Sequence, residues 1–176
     1  MIEKDRFIRQ LALPEIGEKG QERLKDSKVL IIGAGGLGSP VALYLAAAGV
    51  GTLGILDYDK VSISNLNRQI LYEDSDEGKW KVDAAACKIK KLNRKIHITV
   101  YPEKIPRENY HRAHEIVAGY DIVVDACDNM ATRYLVSDLT EELSIPFVYG
   151  PFLTILAKYG IVLPAIFSGN TISFNT

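Results

Sequence analysis

Gly33, Gly35 and Gly38 stand in G-x-G-x-x-G spacing directly after the apolar run at 29–32. That pattern suits a tight turn, a close approach of backbone to phosphate, and close contact between helix and strand. A helix opening there would face the phosphates with free N–H groups and a favourable dipole. Asp57 comes 19 residues after Gly38, at the end of a second apolar run, where an acid that holds a ribose belongs. Beyond it, Asn65, Arg68 and Gln69 offer amide and cationic donors to phosphate oxygens, and Lys81 opens the next helix. Asp128, after a later apolar run, is a hard oxygen ligand of the kind Mg²⁺ takes alongside phosphate oxygens. Arg68 and Lys81 would neutralise charge as an α-phosphate is attacked and pyrophosphate leaves, chemistry governed by positioning and electrostatics. These features suit Mg·ATP better than a dinucleotide. The spacing GxxxxGK[ST] does not occur in the sequence, which disfavours a P-loop kinase or ATPase.

Bringing these groups together requires a sheet whose strands end at one rim. The hydrophobic pattern predicts strands at 29–32, 52–56, 96–101, 121–126 and 146–149. Helices are predicted between them: one from Ser39, read as its cap, with Pro40 in the first turn; then 79–93, 107–118, and one from 129 to about 143. In the helix at 79–93, Val82, Ala85, Ala86, Ile89 and Leu92 fall on one face. The polar stretch 58–78 is long for a strand–helix connection, and long ordered loops are often functional. Strand–helix alternation implies an α/β, Rossmann-like fold, a mainly parallel sheet with helices on both faces. Ligands of such sheets bind beyond the carboxyl ends of the strands, which brings the Gly33 turn, Asp57 and Asp128 to one rim. The expected organisation is a single domain. It has an N-terminal helical arm at 1–27 that breaks at Pro14, a core at 28–150, and a divergent, apolar, β-rich tail at 151–176.

At 176 residues the chain is long enough for one real core. Its net charge of −1 gives no reason to expect a nucleic-acid or membrane surface. Cys87 and Cys127 are the only cysteines, with no CxxC pair, so a disulfide framework and a cysteine zinc site are both unexpected and a cytoplasmic setting fits. Both cysteines read as small buried hydrophobes. Trp80 reads as packing rather than as an adenine contact. Asp128 is open to two readings, helix cap or metal ligand, and Arg133 to two more, support of the phosphate site or pairing with a nearby acid. His97, His111 and His114 show no ligand spacing.

Six stretches then occur in order: Arg6, Phe7, Arg9 and Gln10; Gly33, Gly35, Gly36 and Gly38; Leu56, Asp57 and Asp59; Ser64, Asn65, Leu66, Arg68 and Gln69; Gly78, Lys79 and Lys81; and Asp125, Cys127, Asp128 and Asn129. Together they resemble the ThiF/MoeB/HesA adenylyltransferases, bacterial relatives of ubiquitin-activating enzymes, over about residues 5–150. The resemblance implies ATP-dependent adenylation of the C-terminal glycine carboxylate of a ubiquitin-like sulfur carrier, with release of pyrophosphate. It implies that Asp57 holds the ATP ribose and that Asn65, Arg68 and Lys81 contact phosphates. Gln69 is a further candidate there, and Asp128 would bind Mg²⁺. It implies too that Arg9 reaches the partner subunit's ATP, hence a homodimer. After Gly150 the family's paired CxxC motifs, crossover loop and transfer cysteine find no match, so zinc is not expected and the chain reads as lacking the family's C-terminal part. Two other readings stay open: a nucleotide-binding module without catalysis, and an NAD-dependent oxidoreductase.

Overall fold

The structure, a computed structural model, describes residues 4–105, 107–150 and 160–162. Two short helices form the N-terminal arm, α1 (Lys4–Leu11) and α2 (Gly17–Asp26). The strands β1 (Lys28–Ile32), β2 (Thr52–Leu56), β3 (His97–Tyr101), β4 (Ile122–Asp125) and β5 (Phe147–Tyr149) form a parallel sheet. A sixth, β6 (Gly160–Val162), pairs antiparallel with β5, and the spatial order is β3-β2-β1-β4-β5-β6. The rest of the predicted β-rich tail lies outside the described residues.

Because both faces of this sheet are covered, the inner strands β1, β2 and β4 are continuous apolar runs, whereas β3 at the edge alternates. In β1, Val29 and Ile31 pack under α3 (Gly38–Ala48) and α4 (Lys81–Leu92), while Leu30 and Ile32 face α5 (Tyr110–Val117) and α6 (Met130–Glu142). Leu30 and Ile31 are fully buried, and each such side chain contributes about 1.5–3 kcal/mol of transfer free energy. Ala42 and Ala46 let α3 lie close to the sheet. The arm is tied on by amides: Nε2 of Gln10 and Nε2 of Gln21 both donate to the carbonyl of Ala48, each at 3.0 Å, at the end of α3.

Three local expectations are corrected. Ser39 is not a cap: α3 begins at Gly38 with Leu37 before it, and Ser39 is fully buried with its hydroxyl directed to the Ala34 carbonyl. Packing of the first turn against the glycine loop, rather than capping chemistry, sets that boundary. Leu92 is 40% exposed at the end of α4, and Ala84 takes the buried place. Cys87 is exposed on the same helix and is no core hydrophobe, whereas Cys127 is half-buried and packs against the core beneath α5 and α6.

Burial first, and then the Asp125 carboxylate beside it, push the Cys127 thiol up to about 12. Its thiolate is therefore scarce at pH 8, and iodoacetamide should label Cys87 at least about 100-fold faster than Cys127. Peptide mass mapping over time checks this; equal labelling would contradict the burial seen at Cys127.

Candidate nucleotide site

The strand order reverses between β1 and β4, and at that switch the carboxyl ends of the strands open into a cleft. The ladder continues past the strands into its walls: Gly33 N–H donates to the Leu56 carbonyl and Ala126 N–H to that of Ile32, both at 2.8 Å. Gly33 has φ +93°, and a Cβ there would meet the Ala126 carbonyl oxygen at 2.8 Å, so the turn after β1 demands glycine.

Asp57 holds this turn as well as facing the cleft. Its Oδ2 accepts from Ala34 N–H and its Oδ1 from Asp59 N–H, both at 2.8 Å. Burial raises its carboxyl above the ordinary aspartate range, opposed by these two N–H groups and by Lys81. The Tyr72 hydroxyl donates to the Ala34 carbonyl at 2.7 Å and closes the other side of the turn. The long polar stretch thus folds back as a lid on the glycine loop, with Leu71 fully buried beneath it.

The same stretch brings Gln69 and Arg68 to the cleft. Gln69 is 5% exposed, and its Oε1 is buried without a hydrogen-bond partner among the described residues. An orphaned buried amide of this kind calls for a ligand or a water, and rotation of the amide presents its NH₂ in the same place. Arg68 is exposed at the rim, its Nη1 donating to Oδ1 of Asn67 at 3.0 Å. Lys81, the first residue of α4, is buried with its Nζ 2.8 Å from Asp59 Oδ2. Asn65 lies in a 3₁₀ turn and does not line the cleft, and Arg9 is exposed on α1, away from it.

Of the two readings of Asp128, the helix cap goes to its neighbour. Asn129 caps α6, its Oδ1 accepting from Thr132 N–H at 3.1 Å. Asp128 is left exposed on the cleft wall, with no side-chain hydrogen bond or ion pair among the described residues. Among the described residues no three His, Cys, Asp or Glu side chains form a metal cage there. A single carboxylate facing this cleft nevertheless suits Mg²⁺, which keeps waters and takes phosphate oxygens as ligands. Arg133 pairs with an acid: its Nε donates to buried Asp125 and its Nη2 to the Cys127 carbonyl at 2.8 Å, under the turn that carries Asp128. Trp80 stays outside the cleft, with the Lys60 ammonium 5.2 Å over its ring.

Sequence reasoning missed several residues of the wall. Asp59 was marked only by its D-x-D spacing. Tyr58 and Lys104, which stack as a cation on a ring at 5.4 Å, and Ile105 had no local signal.

Sheet order, glycine turn and polar cleft define a Rossmann-like α/β domain built to hold a ligand at its switch point. The chain belongs to the ThiF family, whose profile matches residues 7–172. It is 48% identical over 148 residues to the sulfur carrier protein adenylyltransferase of Thermus thermophilus, covering 84% of this chain and 54% of that one. It is 51% identical over 151 residues to the adenylyltransferase and sulfurtransferase MOCS3 of Dictyostelium discoideum, covering 86% and 35%. Among solved structures, E. coli MccB with ATP superposes with a TM-score of 0.75 at 28% identity, covering 82% of this chain and 43% of that one. The chain thus spans about half or less of the length of these relatives. No helix among the described residues is long and apolar enough to cross a membrane.

Proposed function

We propose that this chain is an adenylating domain that activates the C-terminal glycine carboxylate of a ubiquitin-like sulfur-carrier protein with ATP. The observation that carries the reading is the convergence of Asp57, Lys81 and Asp128, from three separate segments, around the glycine turn. The names of the Thermus and Dictyostelium relatives support the reaction class, and the MccB crystal with ATP supports the nucleotide.

In this reading the glycine turn at Gly33, Gly35, Gly36 and Gly38 seats the phosphates, and Asp57 accepts from the ribose hydroxyls. Gln69, Arg68 and Lys81 donate to phosphate oxygens, with Asn65 supporting them from the adjoining turn. A carrier carboxylate oxygen forms a bond to the α-phosphorus, the bond to the bridging oxygen breaks, and that oxygen leaves with pyrophosphate. Arg68 and Lys81 offset the charge gathered on the leaving oxygens. Asp128 would hold Mg²⁺, which when bound withdraws charge from the phosphates. Arg9, remote from its own cleft, is assigned to the partner protomer's nucleotide in a homodimer. The two free cysteines suit the reducing cytoplasm as its setting.

The test is ATP–pyrophosphate exchange by the purified chain with Mg²⁺ and a ubiquitin-like protein ending in Gly-Gly. Carrier-dependent exchange is expected. ATP binding with no exchange would replace this reading with that of a binding module. Tight NAD binding without ATP binding would replace it with an oxidoreductase.

A further inference from the structure

Lys81 occupies a position that is electrostatically poor for a lysine. Only 4% of it is exposed, and it is the first residue of α4, where the helix dipole presents its positive end. Trp80 precedes it and supplies no side-chain cap. A buried ammonium there needs an anion, and the described structure gives it one: Asp59 Oδ2 at 2.8 Å. The pairing is built into the backbone. Lys81 N–H donates to the Asp59 carbonyl at 3.0 Å, Lys60 and Trp80 form an antiparallel bridge, and Val61 N–H reaches the Lys79 carbonyl at 2.9 Å. These bonds keep residue 59 beside residue 81 whatever their side chains do.

The two partners differ in freedom. The Lys81 side chain is 6% exposed, whereas that of Asp59 is 51% exposed and can turn outward. Both line the cleft with the glycine turn and Gln69. We infer that Asp59 is an exchangeable counter-ion: it neutralises Lys81 in the empty site, and a nucleotide phosphate takes its place on the ammonium when ATP binds. Asp59 is then a positioning residue that keeps Lys81 folded inward and ready, at the expense of competing with the ligand. The inference rests on the assignment of this cleft to ATP and extends it.

The competition has a direction that can be measured. An apparent affinity is lowered by the fraction of molecules in which the binding group is already engaged. Removing the Asp59 charge should therefore tighten phosphate binding while weakening the empty fold. In the full chain, Asp59→Asn should lower the ATP dissociation constant about 3–10-fold, measured by calorimetry, and leave adenosine affinity unchanged. Without ligand its midpoint of thermal unfolding should fall by about 4–8 °C, with saturating ATP recovering most of the loss. Asp59→Asn/Lys81→Met, which removes both charges, should regain the unliganded midpoint; if the single variant does not fold, recovery of folding in this double variant carries the test.

Weaker or unchanged ATP binding in Asp59→Asn would overturn the inference, as would an equal gain for adenosine. Failure of the double variant to recover stability would overturn it too. A wild-type chain that bound no ATP would overturn the nucleotide reading itself, a result distinct from any of these.

Discussion

Asp128→Asn should reduce Mg²⁺-dependent ATP–pyrophosphate exchange by about 10²–10³-fold, the loss typical of removing one positioned electrostatic group from a reaction centre. The fold should hardly notice. Asn129, not Asp128, caps α6, and the Asp128 carboxylate is exposed and makes no hydrogen bond or ion pair among the described residues. The midpoint of thermal unfolding should shift by no more than about 2 °C, as for a surface substitution away from caps and buried pairs. ATP binding measured in EDTA should not weaken, since the loss is confined to the metal-dependent step and the removed carboxylate only repels metal-free phosphates. Full exchange activity in the variant would remove Asp128 from the metal role. A large fall in thermal stability would show instead that it supports the turn.

Gly38→Ala should destabilise the protein by about 3 kcal/mol or more, while Gly35→Ala should alter stability by less than about 1 kcal/mol. A Cβ on Gly38 would lie 1.9 Å from the Gly33 carbonyl oxygen, and backbone cannot step aside as a flexible side chain does. A Cβ on Gly35 would meet only Gln69 Nε2, at 3.5 Å, an ordinary contact. It would, however, stand on the cleft wall where phosphate must approach the backbone, so ATP affinity should fall at least about 10-fold. Urea unfolding and calorimetric titration on the two variants separate the effects. Equal stability loss at both positions would refute this division between a packing glycine and a ligand-facing one.

Residue types legible at short range were read correctly along the chain. The apolar runs of β1, β2 and β4 mark buried parallel strands because both faces of the sheet are covered, so no alternation interrupts them. The break at Pro14 separates α1 from α2 as the pattern predicts. Errors fell where tertiary packing overrides a local preference. Ser39 has good capping chemistry, yet the close seating of Gly38 on Gly33 moves the cap two residues earlier, to Leu37. Leu92 has the right helical phase but lies past the end of the sheet's cover, in the last turn of α4. Gln10, part of a sequence stretch shared with a family of enzymes, binds α1 to the end of α3 and lies away from the cleft.

By itself the sequence determined the α/β class, the order of elements and the glycine turn, and it pointed to Asp57, Lys81 and Asp128, which the fold brings to one cleft. Each is written in local periodicity or in spacing along one segment, which a parallel sheet converts into a common rim. Only the tertiary structure decided which groups are free and which are already engaged. It gave the α6 cap to Asn129, leaving Asp128 open, turned Arg133 toward Asp125, and left Gln69 Oε1 buried without a partner among the described residues. It also set Asp59 against Lys81 across a backbone bridge. Such assignments depend on distances between groups far apart in sequence, 22 residues for Asp59 and Lys81, and on competition for water-excluded partners, quantities that no stretch of sequence carries alone.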